Sequence, residues 1–181
     1  MNETYSEIIF RTVERFRMAR YVIISPNPED DVNAYMDRWA RQSGLLNVPG
    51  YTPRKIGWDF SFVTKQQQEQ FGLRGYVSAY VIPEDFTPAC GGAEVVHQDT
   101  DEYAVITVAD PFSAPFEKIP GGYHKIFEHI TSKQCATCDG GDRVCPVRDY
   151  GNRICMEHVY EKDGVVYMEI YVPVDRTKVS E

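Results

Sequence analysis

Glu157 is the residue from which chemistry can be argued first. It lies in Ile154 to Glu161, a run with strand character, between Cys155 and Val159, and alternation puts these three side chains on one face. A carboxylate aimed at an apolar interior is costly unless paired, so such a group is kept for a ligand's charge or for proton transfer in catalysis. A register shifted by one residue would instead make Glu157 a solvated surface acid. Aromatic rings supply the other half of a site for lipophilic or cationic molecules, because ring faces attract flat apolar groups and onium charge alike. Tyr76 and Tyr80 share one face of their strand, Trp58 and Phe60 share one face of another, and Tyr167, Glu169 and Tyr171 share a face opposite Met168, Ile170 and Val172. Each of these rings has core packing as its alternative role.

The cysteines are Cys90 and the series Cys135-x2-Cys138-x6-Cys145-x9-Cys155. One Cys-x2-Cys knuckle is half of what a zinc ribbon needs. Zinc through Cys135, Cys138 and Cys145 with Cys155 or His158 therefore stands beside reduced or redox-labile thiols and a plain solvated loop. The expectation is no bound cofactor. No G-x-S-x-G, P-loop, G-x-G-x-x-G or H-E-x-x-H occurs, and of the four histidines His124 and His129 are one residue too far apart to share a helical face. Nucleophile-triad, nucleotide and zinc-protease chemistry drop out.

The elements that must position these residues read as two rounds of one order. A strand at Arg17 to Ser25 stops at Pro26. A helix follows, with Asn27 as cap, Pro28 in its first turn, and Val32, Tyr35, Met36, Trp39, Ala40 and Ser43 on one seam, until Gly44 ends it. Strands at Lys55 to Phe62 and Leu73 to Ile82, separated by a polar Gln-rich connector, complete a β-α-β-β unit. The second round is a strand at Tyr103 to Val108, a helix from about Pro120 to Ser132, and strands Ile154 to Glu161 and Val165 to Pro173 joined by Lys162-Asp163-Gly164, a tight-hairpin signal. The prediction is an α+β fold of duplicated β-α-β-β units with pseudo-two-fold symmetry around a central ligand pocket. Residues 1–181 form a single domain in this reading, with a Cys-bearing, Gly-rich insertion at about 133–153 peripheral to the pocket.

The chain has 181 residues and a net charge of −8, with 43% hydrophobic, 13% aromatic and 25% charged residues, inside the globular range. Its basic residues are scattered among acids, which argues against direct DNA binding. No apolar run approaches the roughly 20 residues of a spanning helix, and the start of the chain lacks a basic region followed by an apolar core. A cytoplasmic protein without a membrane partner is expected.

Arg54-Lys55-Ile56-Gly57-Trp58-Asp59-Phe60, Phe71-Gly72-Leu73-Arg74-Gly75-Tyr76, Ile119-Pro120-x-x-Tyr123, Cys155-Met156-Glu157 and Ile170-Tyr171-Val172-Pro173-Val174 follow one another in an order that resembles GyrI-like small-molecule-binding domains. Such domains form the effector-binding half of AraC-type and MerR-type multidrug-responsive regulators and also occur alone. The resemblance covers about Phe16 to Asp175. Some 16 residues precede the first core strand, and the cysteine-bearing stretch Cys135 to Cys145 departs from the pattern. It implies an acid at Glu157 facing a pocket that meets lipophilic, often cationic molecules, with Trp58, Phe60, Tyr76, Tyr80, Phe112, Tyr123, Tyr167 and Glu169 as the further ligand-binding candidates. A binding protein for such molecules is the first expectation, with lipophilic cations preferred over neutral analogues. Two alternatives are a hydrolase of strained electrophiles such as cyclopropane-bearing alkylating compounds, with Glu157 catalytic, and a gyrase-inhibitor-like interaction protein.

Overall fold

The computed structural model describes residues 4–134 and 153–174. Cys135, Cys138 and Cys145, and with them most of the expected insertion, lie outside the described residues. Among those described, the chain forms β1 (Ile9–Val13), β2 (Phe16–Ser25), α1 (Pro28–Gln42), β3 (Arg54–Asp59), α2 (Lys65–Phe71), β4 (Arg74–Ile82), β5 (Glu94–Gln98), β6 (Asp101–Ala109), α3 (Pro115–Gln134), β7 (Met156–Lys162) and β8 (Val165–Pro173). This is an α+β fold, as expected. The chain divides into two compact units, one running from Arg15 to Asp99, the other joining the residues up to Glu14 with those from Thr100 onward.

In the first unit the strands lie antiparallel in the order β3-β4-β2-β5. Helix α1 follows from its seam: Val32, Met36, Trp39 and Ala40 are buried, packed against Ala19, Tyr76, Tyr80 and Ile82 of the sheet. Three acids in its first turn complement the positive end of the helix dipole. Asn27 stands at the cap position without a side-chain bond; the Ser25 hydroxyl instead donates to Asp31 and accepts from the Asn27 N–H. The Gln-rich connector is itself helical. Thr64 and Gln67 form a reciprocal capping box at the start of α2, a local signal that the polarity of the stretch obscures.

In the second unit the order is β1-β6-β8-β7, again antiparallel throughout. Ala104, Ile106, Val108, Met168, Ile170 and Val172 present one face of this sheet to Ile126 and Ile130 of α3. The helix begins five residues before the expected Pro120, because Pro115 already suits a first turn. Pro120 has no N–H for the carbonyl of Phe116, yet Phe116 is 93% exposed, so that carbonyl sits at the solvated start of the helix and the cost is small. A Cβ at Gly122 would stand 2.8 Å from Ile170 Cδ1 and 3.1 Å from Val108 Cγ2, so glycine is what lets α3 lie this close. Asp163 and Gly164 take φ of 54° and 76°, making the two-residue hairpin turn that the sequence signals.

The same strand order recurs in both units. In β2-α1-β3-β4 and in β6-α3-β7-β8 the last strand of the run lies between the other two, so β4 and β8 occupy equivalent central positions. Strands β5 and β1, which the periodicity did not reveal, extend the sheets beside β2 and β6 respectively.

Candidate functional site

Strand register decides which residues meet. In the second unit Arg11 pairs with Tyr103, Val105 with Tyr171, Thr107 with Glu169, Glu169 with His158, and Tyr167 with Tyr160. Directly paired residues share a face, so Arg11, Tyr103, Tyr171, Glu169, His158, Tyr160 and Tyr167 all lie on the face turned away from α3. Glu169 is its centre. Arg11 Nη2 donates to Glu169 Oε1 at 3.2 Å, Arg11 Nη1 donates to Oε2 at 3.4 Å, and the Tyr171 hydroxyl donates to Oε2 while accepting from Arg11 Nη1. The Glu169 side chain is 15% exposed and that of Arg11 39%.

Aromatic rings share this face. His158 and Tyr160 stack with centroids 5.6 Å apart at 27°, and Tyr160 and Tyr167 stack at 5.6 Å and 23°. Tyr103 and Tyr171 meet edge to face at 5.9 Å, and the Arg11 guanidinium lies 5.4 Å from the centre of the Tyr171 ring. Burial alone would raise the Glu169 carboxyl, but hydrogen bonds from Tyr171 and Arg11 and the charges of Arg11 and His158 outweigh it and hold the group below the ordinary carboxylate value. Burial, then the Glu169 charge, pushes the Tyr160 phenol up. Glu169 is therefore an ionised, paired anion flanked on its sheet face by aromatic residues.

The other expected site residues fall elsewhere. Glu157 pairs with Ile170, which puts it on the face that α3 covers, and the Tyr123 hydroxyl of α3 donates to Glu157 Oε1 at 2.9 Å. Cys155 packs at the edge of that same core. Phe112 is 55% exposed in the turn before α3. In the first unit Tyr76 and Tyr80 face α1; the Tyr80 hydroxyl donates to Asp37 Oδ1 at 2.7 Å, and Lys55 Nζ donates to the same oxygen at 2.9 Å. Burial and the bond to Asp37 raise the Tyr80 phenol. Trp58 pairs with Val77 on the face turned away from α1, among the buried Met18, Ile56 and Ala79, and Phe60 follows at the end of the strand beside Phe62. Of the nine ligand-binding candidates, Tyr167 and Glu169 share the face turned away from α3, Tyr123 and Glu157 meet on the face that α3 covers, and Tyr76 and Tyr80 share the α1-facing side of the first unit. Arg11, Tyr103 and Tyr160 join Tyr167 and Glu169 without having been singled out, and so does His158, named from the sequence only as a possible zinc ligand; Arg11 belongs to Ile9-Phe10-Arg11-Thr12-Val13, a run whose apolar and polar residues do not alternate, so periodicity gives no signal for β1. Among the described residues no group of three or more His, Cys, Asp or Glu could hold a metal ion.

Solved structures share this architecture. The C-terminal domain of EcmrR matches with a TM-score of 0.60 and 9% identity, over 93% of this chain and 97% of that one. The fold is GyrI-like. SAV2435, solved bound to tetraphenylphosphonium, matches with a TM-score of 0.51 and 12% identity over 94% of each chain. A hydrolase from Listeria innocua matches with a TM-score of 0.51 and 10% identity, over 93% of this chain and 92% of that one. Identities this low establish the GyrI-like fold and leave function to the site. No family model matches the chain, and no curated protein matches its sequence. No helix among the described residues is long and apolar enough to cross a membrane.

Proposed function

We propose that the protein binds lipophilic aromatic small molecules on the sheet face around Glu169. The observation that carries the reading is the combination on that face of an ionised, largely buried carboxylate with the parallel stack of His158, Tyr160 and Tyr167. Offset ring stacking and apolar burial attract flat molecules, while a few convergent polar groups fix their orientation. The binding of tetraphenylphosphonium by SAV2435, which shares the fold, supports aryl-bearing lipophilic ligands without fixing their charge or shape. At this face binding is favoured over general-base chemistry, because Glu169 is held below its ordinary value and is already engaged by Arg11 and Tyr171.

Nile red, a neutral flat dye whose emission reports an apolar environment, tests the reading. The Tyr160→Ala, Tyr167→Ala double variant removes two stacked rings, each worth about 0.5 to 1.5 kcal/mol in such contacts, so dye affinity falls about tenfold or more. Unchanged affinity in a double variant that melts as the wild type does would contradict it.

A further inference from the structure

Building on that reading, we propose that Arg11 sets the charge preference of the site: its guanidinium fills the place beside Glu169 that a ligand's positive charge would take, so neutral or anionic aromatic molecules are selected over permanent lipophilic cations. An open carboxylate among tyrosine rings rewards a cation twice, by ion pairing and through the ring faces. Here both rewards are already taken. The two carboxylate oxygens each accept from Arg11, and one also accepts from the Tyr171 hydroxyl. The guanidinium also lies over the Tyr171 ring, 5.4 Å from its centre.

Access from solvent points the same way. The Arg11 side chain is 39% exposed against 15% for Glu169, so the arginine is the more accessible member of the pair. Arg11 Nε has no hydrogen-bond partner among the described residues and offers a donor to a carbonyl, phenolate or carboxylate oxygen. A flat ligand lying on the His158–Tyr160–Tyr167 stack and presenting such an oxygen toward Arg11 satisfies both parts of the site. A quaternary cation satisfies only the stack and meets a like charge.

Tetraphenylphosphonium and tetraphenylborate have nearly the same size and shape and opposite charge. Each is titrated against Nile red bound to the protein, at about 0.5 M salt so that the field of the net −8 charge is screened. Wild type is expected to release the dye to borate at least as readily as to phosphonium. Arg11→Met leaves Glu169 unpaired, and phosphonium affinity rises about tenfold while borate affinity falls about tenfold, the scale of removing one nearby unit charge. Arg11→Lys keeps the charge and stays with the wild type. Arg11→Met combined with Glu169→Gln removes both charges together, avoids a bare buried carboxylate, and loses the preference for either probe. Lys65→Met makes the same change in net charge on exposed α2 and shifts the ratio by less than about twofold.

A phosphonium-to-borate ratio that stays within about twofold of wild type in Arg11→Met and in the double variant overturns the role of Arg11, and so does a wild type that prefers phosphonium or releases no dye to borate. Dye binding that survives in those cases leaves the binding reading standing. A wild type that binds neither the dye nor either probe removes the binding reading and this proposal together.

Discussion

Glu157 faces Ile170 across the β7–β8 ladder and meets Tyr123 of α3, whereas Glu169, one strand away, faces His158 and meets Arg11 and Tyr171. The two acids differ in chemistry because they lie on opposite faces of one sheet. Glu169 carries a pH signature of known sign. Its carboxyl is held below the ordinary value in the folded state, despite a burial effect that acts the other way, so its interactions contribute stability above the unfolded-state value and lose it as the pH falls through the lower folded-state value. Urea denaturation across that range is expected to show wild type more stable than Glu169→Gln at pH 7, with the difference shrinking steadily below about pH 4.5, the ordinary value for such a group. A difference independent of pH would mean that the Arg11–Glu169 pair does not form.

At the scale of elements, the contact between α3 and its sheet depends on the absence of one Cβ. Gly122→Ala gains up to about 1 kcal/mol of helix propensity. It also places a methyl 2.8 Å from the Cδ1 of a fully buried Ile170, an overpacking that costs about 1 to 3 kcal/mol. The clash is expected to win: a net loss of about 1 kcal/mol in chemical denaturation checks this, and a stabilised variant would show that the helix can slide. Elements with dense local signals were legible in the sequence, as the α1 seam from Val32 to Ala40 and the Asp163-Gly164 turn show. Strand β1 was not, because five residues with an arginine at the centre resemble a connector until β6 is beside them. Alternation likewise told which residues share a face of β7 but not which face α3 would cover. That choice is made by contacts distant in sequence, such as Tyr123 with Glu157, which no local pattern encodes. The same limit applied to Tyr76 and Tyr80, whose strand was recognised while the packing of α1 over their face was not.

Across the whole molecule, the repeated β-α-β-β order was readable because each round carries its own periodicity, and the repetition yields two units with equivalent central strands, β4 and β8. Those two strands carry the same kinds of residue to different ends. Tyr76 and Tyr80 of β4 turn toward a helix and complete a core, whereas Tyr167 and Tyr171 of β8 turn away from one and flank a carboxylate. The net charge of −8 attracts cations to the whole surface at low salt, so affinity alone does not locate a site. Ring-carbon NMR of tyrosine-labelled protein, titrated with Nile red at about 0.5 M salt, does locate it. Saturable shifts at Tyr160, Tyr167 and Tyr171, with Tyr76 and Tyr80 unmoved, are the expected result; saturable shifts confined to Tyr76 and Tyr80, or none at any tyrosine, would contradict a binding site around Glu169.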